Sequence, residues 1–188
     1  MFPSKKETDG THYLTGELCS LRGLDKDDAS EKYLSWLQNP NVADLTYANQ
    51  FPPTVSGLAS WVDQFQKSSN SAGFAVIAKD TDQHIGNATL NGINWVTRYA
   101  DLGLMIGDPD YIDREVISDV WTSVINYAFG NLGLRRLFAG ILTPATEYIE
   151  AINSLGFTKE GVWRQQSIVS GQYVDEELFG LLVDEWPK

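Results

Sequence analysis

The sequence predicts one α/β domain of about seven strands and four helices. Three observations carry that expectation. Short apolar runs of strand type are bounded by Gly, Pro, Asn and Ser, and between them lie longer stretches whose apolar residues recur every three or four positions. With 188 residues, 43% of them hydrophobic and 12% aromatic, the chain can bury one sizeable core. No linker, low-complexity tract or internal repeat divides it, so the domain is expected over residues 15–188, behind a polar, aperiodic tail at 1–14.

The elements follow in order. A first strand is expected at Glu17–Leu24. Asp27-Asp28-Ala29-Ser30 then opens a helix carrying Tyr33, Leu34, Trp36 and Leu37, which Asn39-Pro40 ends. Thr54 caps a second helix, where Leu58, Trp61, Val62 and Phe65 share a face. Three consecutive antiparallel strands are read at Phe74–Ala78, Ile85–Leu90 and Ala100–Gly107. A long helix spans about Glu115–Leu132, with Val116, Val120, Val124, Ala128 and Leu132 forming one ladder before Gly133 stops it. A strand at Leu137–Leu142, a helix at Thr146–Leu155 ended by Gly156, and two strands joined at Ser170-Gly171 complete the chain.

Charge excludes more than it selects. A net charge of -11 argues against nucleic acid, whose phosphates are bound by clustered Lys and Arg, and against anionic membranes; it suits a cationic or amine-bearing substrate. The single cysteine, Cys19, permits no internal disulfide and no cysteine metal cluster, and its place in an apolar run makes it a core residue. No signal-peptide core and no membrane-length apolar run is present, so a cytoplasmic protein is expected.

The segment Trp36-Leu37-Gln38-Asn39-Pro40-Asn41-Val42 resembles one found in the GNAT superfamily of acetyl-CoA-dependent N-acetyltransferases. The likeness is greatest to the branches that acetylate ribosomal-protein alanine termini and nucleotide-linked amino sugars. Ile85-Gly86-Asn87, Leu102–Asp108, Tyr127-Ala128-Phe129, Leu132-Gly133-Leu134, Leu155–Gly161 and Tyr173-Val174-Asp175 match in the same register. The resemblance implies a mixed, mostly antiparallel sheet with a V-shaped splay between two central parallel strands, acetyl-CoA as co-substrate, no metal, and an amine acceptor that is a small molecule, amino sugar or peptide terminus. It also implies that the thioester lies beside Leu104, Met105 and Ile106, and that a homodimer through the terminal strands is common.

In the family a loop of pattern Arg/Gln-x-x-Gly-x-Gly/Ala runs into the long helix, where bare backbone N–H groups and the helix dipole hold pyrophosphate. Aligned without a gap, this chain writes Ile112-Asp113-Arg114-Glu115-Val116-Ile117 there, with Ser118 following. Arg114 keeps a basic residue, but Glu115 and Ile117 replace both small residues. A carboxylate near pyrophosphate is repulsive by roughly 1 kcal/mol per charge pair. Asp113 and Glu115 can instead serve the helix terminus themselves. The asparagine and serine that follow the next strand in the family correspond to Ala145 and Tyr148.

Transfer to an amine needs a base or water to take its proton and N–H groups to polarise the thioester carbonyl. Asp101 is the favoured base, with Glu147 near the pocket rim and His84, expected in a turn, behind it; Tyr148 is a candidate phenol acid. Trp36, Asn91, Trp95 and Tyr99, with Asn39, Tyr47 and Asn94, supply aromatic faces and amides for a substrate. Two functions stay open: an N-acyltransferase using Leu104, Met105, Ile106, Arg114, Glu115, Val116, Ile117 and Ser118 at the CoA site, or a GNAT-fold binding module that has lost normal acetyl-CoA use.

Overall fold

Eight strands and five helices are present in the computed structural model, which describes residues 12–46 and 51–187. The chain begins with two short strands, β1 (Leu14–Thr15) and β2 (Cys19–Gly23). Helices α1 (Glu31–Gln38), α2 (Pro40–Ala43) and α3 (Val55–Lys67) follow, then β3 (Ala72–Ala78), β4 (Gln83–Asn94) and β5 (Tyr99–Ile106). The second half runs α4 (Arg114–Gly130), β6 (Arg136–Leu142), α5 (Thr146–Ser154), β7 (Thr158–Val169) and β8 (Gln172–Leu182).

The departures from expectation have local causes. Leu14, assigned to the tail, pairs with Leu21 in β1–β2. Asp27 and Asp28 do not start α1: Asp25 and Asp28 close a reciprocal capping box around a single 3-10 turn, and Ser30 caps the helix proper through Tyr33 N at 3.3 Å. Asn39-Pro40 ends α1 and also starts α2, because Asn39 Oδ1 accepts from Asn41 N and Pro40 occupies the first helical position, where a missing N–H costs nothing. Thr54 caps α3 as expected, through Gly57 N at 3.0 Å.

The strands form one sheet in the order β1-β2-β3-β4-β5-β6-β8-β7, antiparallel throughout except at β5–β6. That parallel pair holds for only three positions, Tyr99↔Arg136, Ala100↔Leu137 and Asp101↔Phe138. Beyond it the outer ladders pull the strands apart: β5 stays paired with β4 as far as Gly86↔Ile106, and β6 stays paired with β8 as far as Leu142↔Glu176. Each strand therefore presents one unpaired edge to a widening gap.

Helices cover both faces. Ile117, Val120, Trp121 and Val124 of α4 and Ile152 of α5 pack one face against Ala88, Leu90, Leu102 and Ile106. Tyr33, Trp36 and Leu37 of α1 and Leu58 of α3 pack the other around Met105. Each fully buried aliphatic chain contributes about 1.5–3 kcal/mol. Trp36 lies so close over Gly107 that a Cβ there has no room, which fixes glycine at the end of β5. On the opposite side Asp119 of α4 accepts the backbone N–H groups of Glu17, Leu18 and Cys19 at 2.6, 3.0 and 2.9 Å and so closes the β1–β2 turn onto the helix.

Candidate functional site

The gap between β5 and β6 opens into a cavity of about 510 Å³, floored by Leu102–Ile106 and Ala139–Leu142 and roofed by Tyr33, Trp61 and Val42. Backbone polarity in the gap follows from register. Gly107 N donates to Ile85 O across β4–β5, so alternation turns the N–H groups of Leu104 and Ile106 the other way, toward β6. Ile106 N is taken by the Tyr148 hydroxyl at 2.9 Å; the Leu104 N–H faces the space where β6 has withdrawn.

Polar side chains line the face beneath α1 and α3. Asn87, Thr89 and Asn91 recur at strand spacing along β4, and Asp101 on β5 stands opposite Asn91. Asn91 Nδ2 donates to Thr89 Oγ1 at 2.9 Å and its amide also supports the Asp101 carboxylate. Glu176 reaches in from β8, buried to 6% exposure, and lies across Gly140 of β6 with no room for a Cβ between them. Burial raises the Asp101 carboxyl above its ordinary range, the Glu176 charge raises it further, and the Asn91 hydrogen bond only partly opposes them. A raised carboxyl is a stronger base when ionised. Among the described residues, no Lys, Arg or His lines the cavity.

Tyr148 is the buried wall of the same space. Burial pushes its phenol to about 12, with the Ile106 N–H opposing and Glu147 adding to the rise, so the hydroxyl holds its proton at neutral pH. It accepts from Ile106 and keeps its own O–H as a donor. Ala145, standing before α5, gives that helix no side-chain cap.

At the start of α4 the self-capping arrangement is realised by Asp113, whose Oδ1 accepts from Glu115 N at 2.7 Å. The exposed Arg114 and Glu115 pair with each other at 2.9 Å. Ile117 is fully buried in the core, Val116 packs against it, and the buried Ser118 Oγ has no hydrogen-bond partner among the described residues. A carboxylate already accepts an N–H that an anion would use, so this helix end does not fit pyrophosphate as a glycine loop does. The acyl end, in the gap, fits.

Of the expected site residues, the structure brings together Asp101, Tyr148, Leu104, Met105, Ile106 and Asn91 around the cavity. Arg114, Glu115, Val116, Ile117 and Ser118 lie outside its lining, at the helix end beyond Ile112. The aromatic expectations separate. Trp36 is core, 4% exposed and packed on Tyr33 and His84. Trp95 sits on the β4–β5 hairpin and donates to Ser69 O at 2.9 Å, and Tyr99 stacks edgewise on Phe138 at 6.0 Å; neither faces the cavity. Asn94 caps its own turn through Val96 N and Thr97 N. Tyr47 lies outside the described residues. Glu147 is exposed on α5, and His84, expected in a turn, lies in β4. Asn87, Thr89, Tyr33 and Glu176 were missed. The repeat Asn87-x-Thr89-x-Asn91 inside a central strand was a legible signal for two of these, Asn87 and Thr89, since buried polar residues at period two mark a face that is not core.

Among the described residues no helix is long and apolar enough to cross a membrane, and no cluster of His, Cys, Asp and Glu could hold a metal ion.

A family model described as an acetyltransferase (GNAT) domain matches residues 19–158. The chain is 28% identical to an uncharacterized N-acetyltransferase, p20, of Bacillus licheniformis, over 90% of this chain and 96% of that protein. Its fold is similar to that of a probable acetyltransferase, with a TM-score of 0.80 at 20% identity over 93% of this chain and 99% of the other. It is also similar to that of spermidine N-acetyltransferase from Vibrio cholerae in complex with CoA and spermine, with a TM-score of 0.78 at 18% identity over 89% and 97%.

Proposed function

The chain belongs to the GNAT acetyltransferase family, and from that premise we propose that it moves an acetyl group from acetyl-CoA to a primary amine of a small cationic molecule. One observation supports this reading above the others: a carboxylate of raised pKa, Asp101, stands at the mouth of a strand divergence whose unpaired Leu104 N–H faces the same cavity.

Acetyl-CoA, when bound, supplies an acyl thioester. The residues of the chain do the rest. Asp101 takes the proton that the amine must lose, and it can do so because burial and Glu176 raise its affinity for a proton. The Leu104 N–H is placed to stabilise negative charge on a carbonyl oxygen in the gap. Tyr148 holds an O–H for the leaving sulfur and anchors β5 through Ile106. Two carboxylates and, among the described residues, no basic side chain in the lining favour a cationic acceptor, and the Vibrio cholerae neighbour bound to spermine has an acceptor of that chemistry.

The test is calorimetric titration with acetyl-CoA, followed by release of the CoA thiol in the presence of spermidine and simple primary amines. Binding together with amine-dependent thiol release is expected. One observation favours a second reading, that of a binding module without normal acetyl-CoA use: Asp113 occupies the α4 terminus as its own anion. An absence of heat and of thermal shift at millimolar acetyl-CoA establishes that reading and removes the first.

A further inference from the structure

We propose that this chain reads its acyl donor by the pantetheine arm alone, and that the nucleotide half of CoA is repelled at the helix end where the family grips it. The donor class is then an acyl-pantetheine thioester, whether or not a polyphosphate follows. This rests on the acetyltransferase reading of the cavity and deepens it on the donor side.

The arm has a place to lie. Thr143 N donates to Asp175 O across β6–β8, so alternation along β6 turns the N–H groups of Gly140 and Leu142 toward β5, as that of Leu104 turns toward β6. Beyond Asp101↔Phe138 the two strands no longer pair, and these N–H groups border the gap. Ile106, Ile141, Ala145 and Trp121 make the cavity walls beside them apolar. Pantetheine is an uncharged, flexible chain with two amides, and it suits apolar walls punctuated by a few backbone donors.

The nucleotide meets a different surface. Ile112 lines the cavity, and the chain passes from it directly into Asp113 and α4. There Asp113 Oδ1 accepts from Glu115 N at 2.7 Å, and the same carboxylate accepts from the Val116 N–H. Those are the N–H groups that a phosphate at a helix start needs. Ile117, one residue on, is fully buried and anchors this turn to the core.

Charge acts in the same direction. Residues 107–115 carry Asp108, Asp110, Asp113 and Glu115, with Arg114 as the only cation of that stretch. Arg114 is paired with Glu115 at 2.9 Å, and Glu150 of α5 also lies within its electrostatic reach. Asp80 arrives from the β3–β4 turn and accepts the Tyr111 hydroxyl at 3.0 Å. Lys32 lies 3.9 Å from Asp108 Oδ2, but its ammonium donates to Gln83 Oε1 at 3.1 Å and to His84 O at 3.0 Å. A triphosphorylated nucleotide leaving the gap past Ile112 therefore finds carboxylates where free N–H groups and cations would hold it.

Calorimetry with acetyl-CoA, S-acetylpantetheine and adenosine 3′-phosphate 5′-diphosphate tests this. At low salt acetylpantetheine is expected to bind about 5-fold more tightly than acetyl-CoA, and the two converge as salt is added. The nucleotide alone gives no heat at millimolar concentration and displaces neither thioester. Glu115→Lys tightens acetyl-CoA by about 10-fold or more and leaves acetylpantetheine within about 2-fold; Glu115→Gln gives a smaller change of the same sign where the charge reversal disturbs the fold. Parity of the two thioesters, or an advantage for acetylpantetheine, upholds arm-only recognition. Acetyl-CoA bound more than about 2-fold tighter overturns it, as does competition by the nucleotide or an acetyl-CoA affinity that Glu115→Lys leaves unmoved. The outcome is separable from that of the acetyltransferase reading. Acetylpantetheine that binds yet releases no thiol in the presence of amines removes the enzyme and keeps the arm site. Amine-dependent thiol release from a preferred acetyl-CoA keeps the enzyme and removes arm-only recognition. No heat with any of the three ligands removes both.

Discussion

The Tyr148 hydroxyl accepts the Ile106 N–H at 2.9 Å, tying the end of β5 to the helix that follows β6 at a place where the two strands no longer touch. Removing that hydroxyl strands a buried N–H. Tyr148→Phe is expected to lower unfolding free energy by about 1–3 kcal/mol, read from urea denaturation, and to lower kcat by about 10-fold or more with little change in the KM for amine. A variant as stable as the parent removes the anchoring role.

Asp101 sets the acidic limb of the rate profile. Its folded carboxyl is raised by burial and by Glu176, so kcat/KM climbs with pH through a value above the ordinary 3.8 of Asp. Glu176→Gln removes one raising influence and moves the limb to lower pH; Asp101→Asn abolishes the limb and lowers kcat by about 100-fold or more. The stability sign follows from the same shift. Between the unfolded and folded pKa the native state holds a proton that the unfolded chain has released, so stability falls as pH rises through that window. Asp101→Asn flattens that fall in a pH series of thermal melts.

The α4 terminus is expected to limit affinity for acetyl-CoA through charge. Glu115→Gln and Asp113→Ser each remove one negative charge, and the serine still caps the helix. Each tightens acetyl-CoA by about 5-fold in calorimetry at low salt, equivalent to about 1 kcal/mol, and the gain shrinks as salt is added. An unaltered dissociation constant in both variants shows that this helix end does not meet the pyrophosphate.

Cys19 is 1% exposed, and burial first, with Asp119 adding, pushes its thiol to about 12. It is expected to be silent to a disulfide reagent in the folded protein and to react fully once unfolded. Thiol-release measurements on the native protein therefore report CoA alone, which a blank without acetyl-CoA verifies.

Periodicity made most of the fold legible. The Val116–Leu132 ladder, the Thr54 cap and the alternating middle strands are local signals, and α4, α3 and β3–β5 follow them within a few residues. The strand divergence came from family resemblance, because the pairing partners that pull β5 and β6 apart lie tens of residues away in sequence. The cavity was only half legible. Asp101 was legible as a carboxylate at a strand start and Asn91 as a substrate amide, whereas Glu176 enters through the register of β8 on β6 and the absence of a side chain at Gly140. Aromatic residues misled in the other direction. Trp36 against His84, Trp95 against Ser69 O and Tyr99 against Phe138 each have a partner outside the cavity, and composition cannot separate those from substrate-facing rings.

The three N–H groups that Asp119 gathers from Glu17, Leu18 and Cys19 also bear on how the molecule is made. The first strands leave the ribosome with their turn unsatisfied, and the carboxylate that completes it is encoded 102 residues after Glu17. At roughly 5–20 residues per second that is a delay of about 5–20 s. During that interval Leu21, fully buried in the finished core, waits as well for Val76 opposite it. This edge of the sheet is thus synthesised well ahead of the helix that locks it, and the nascent chain depends on α4 to close it.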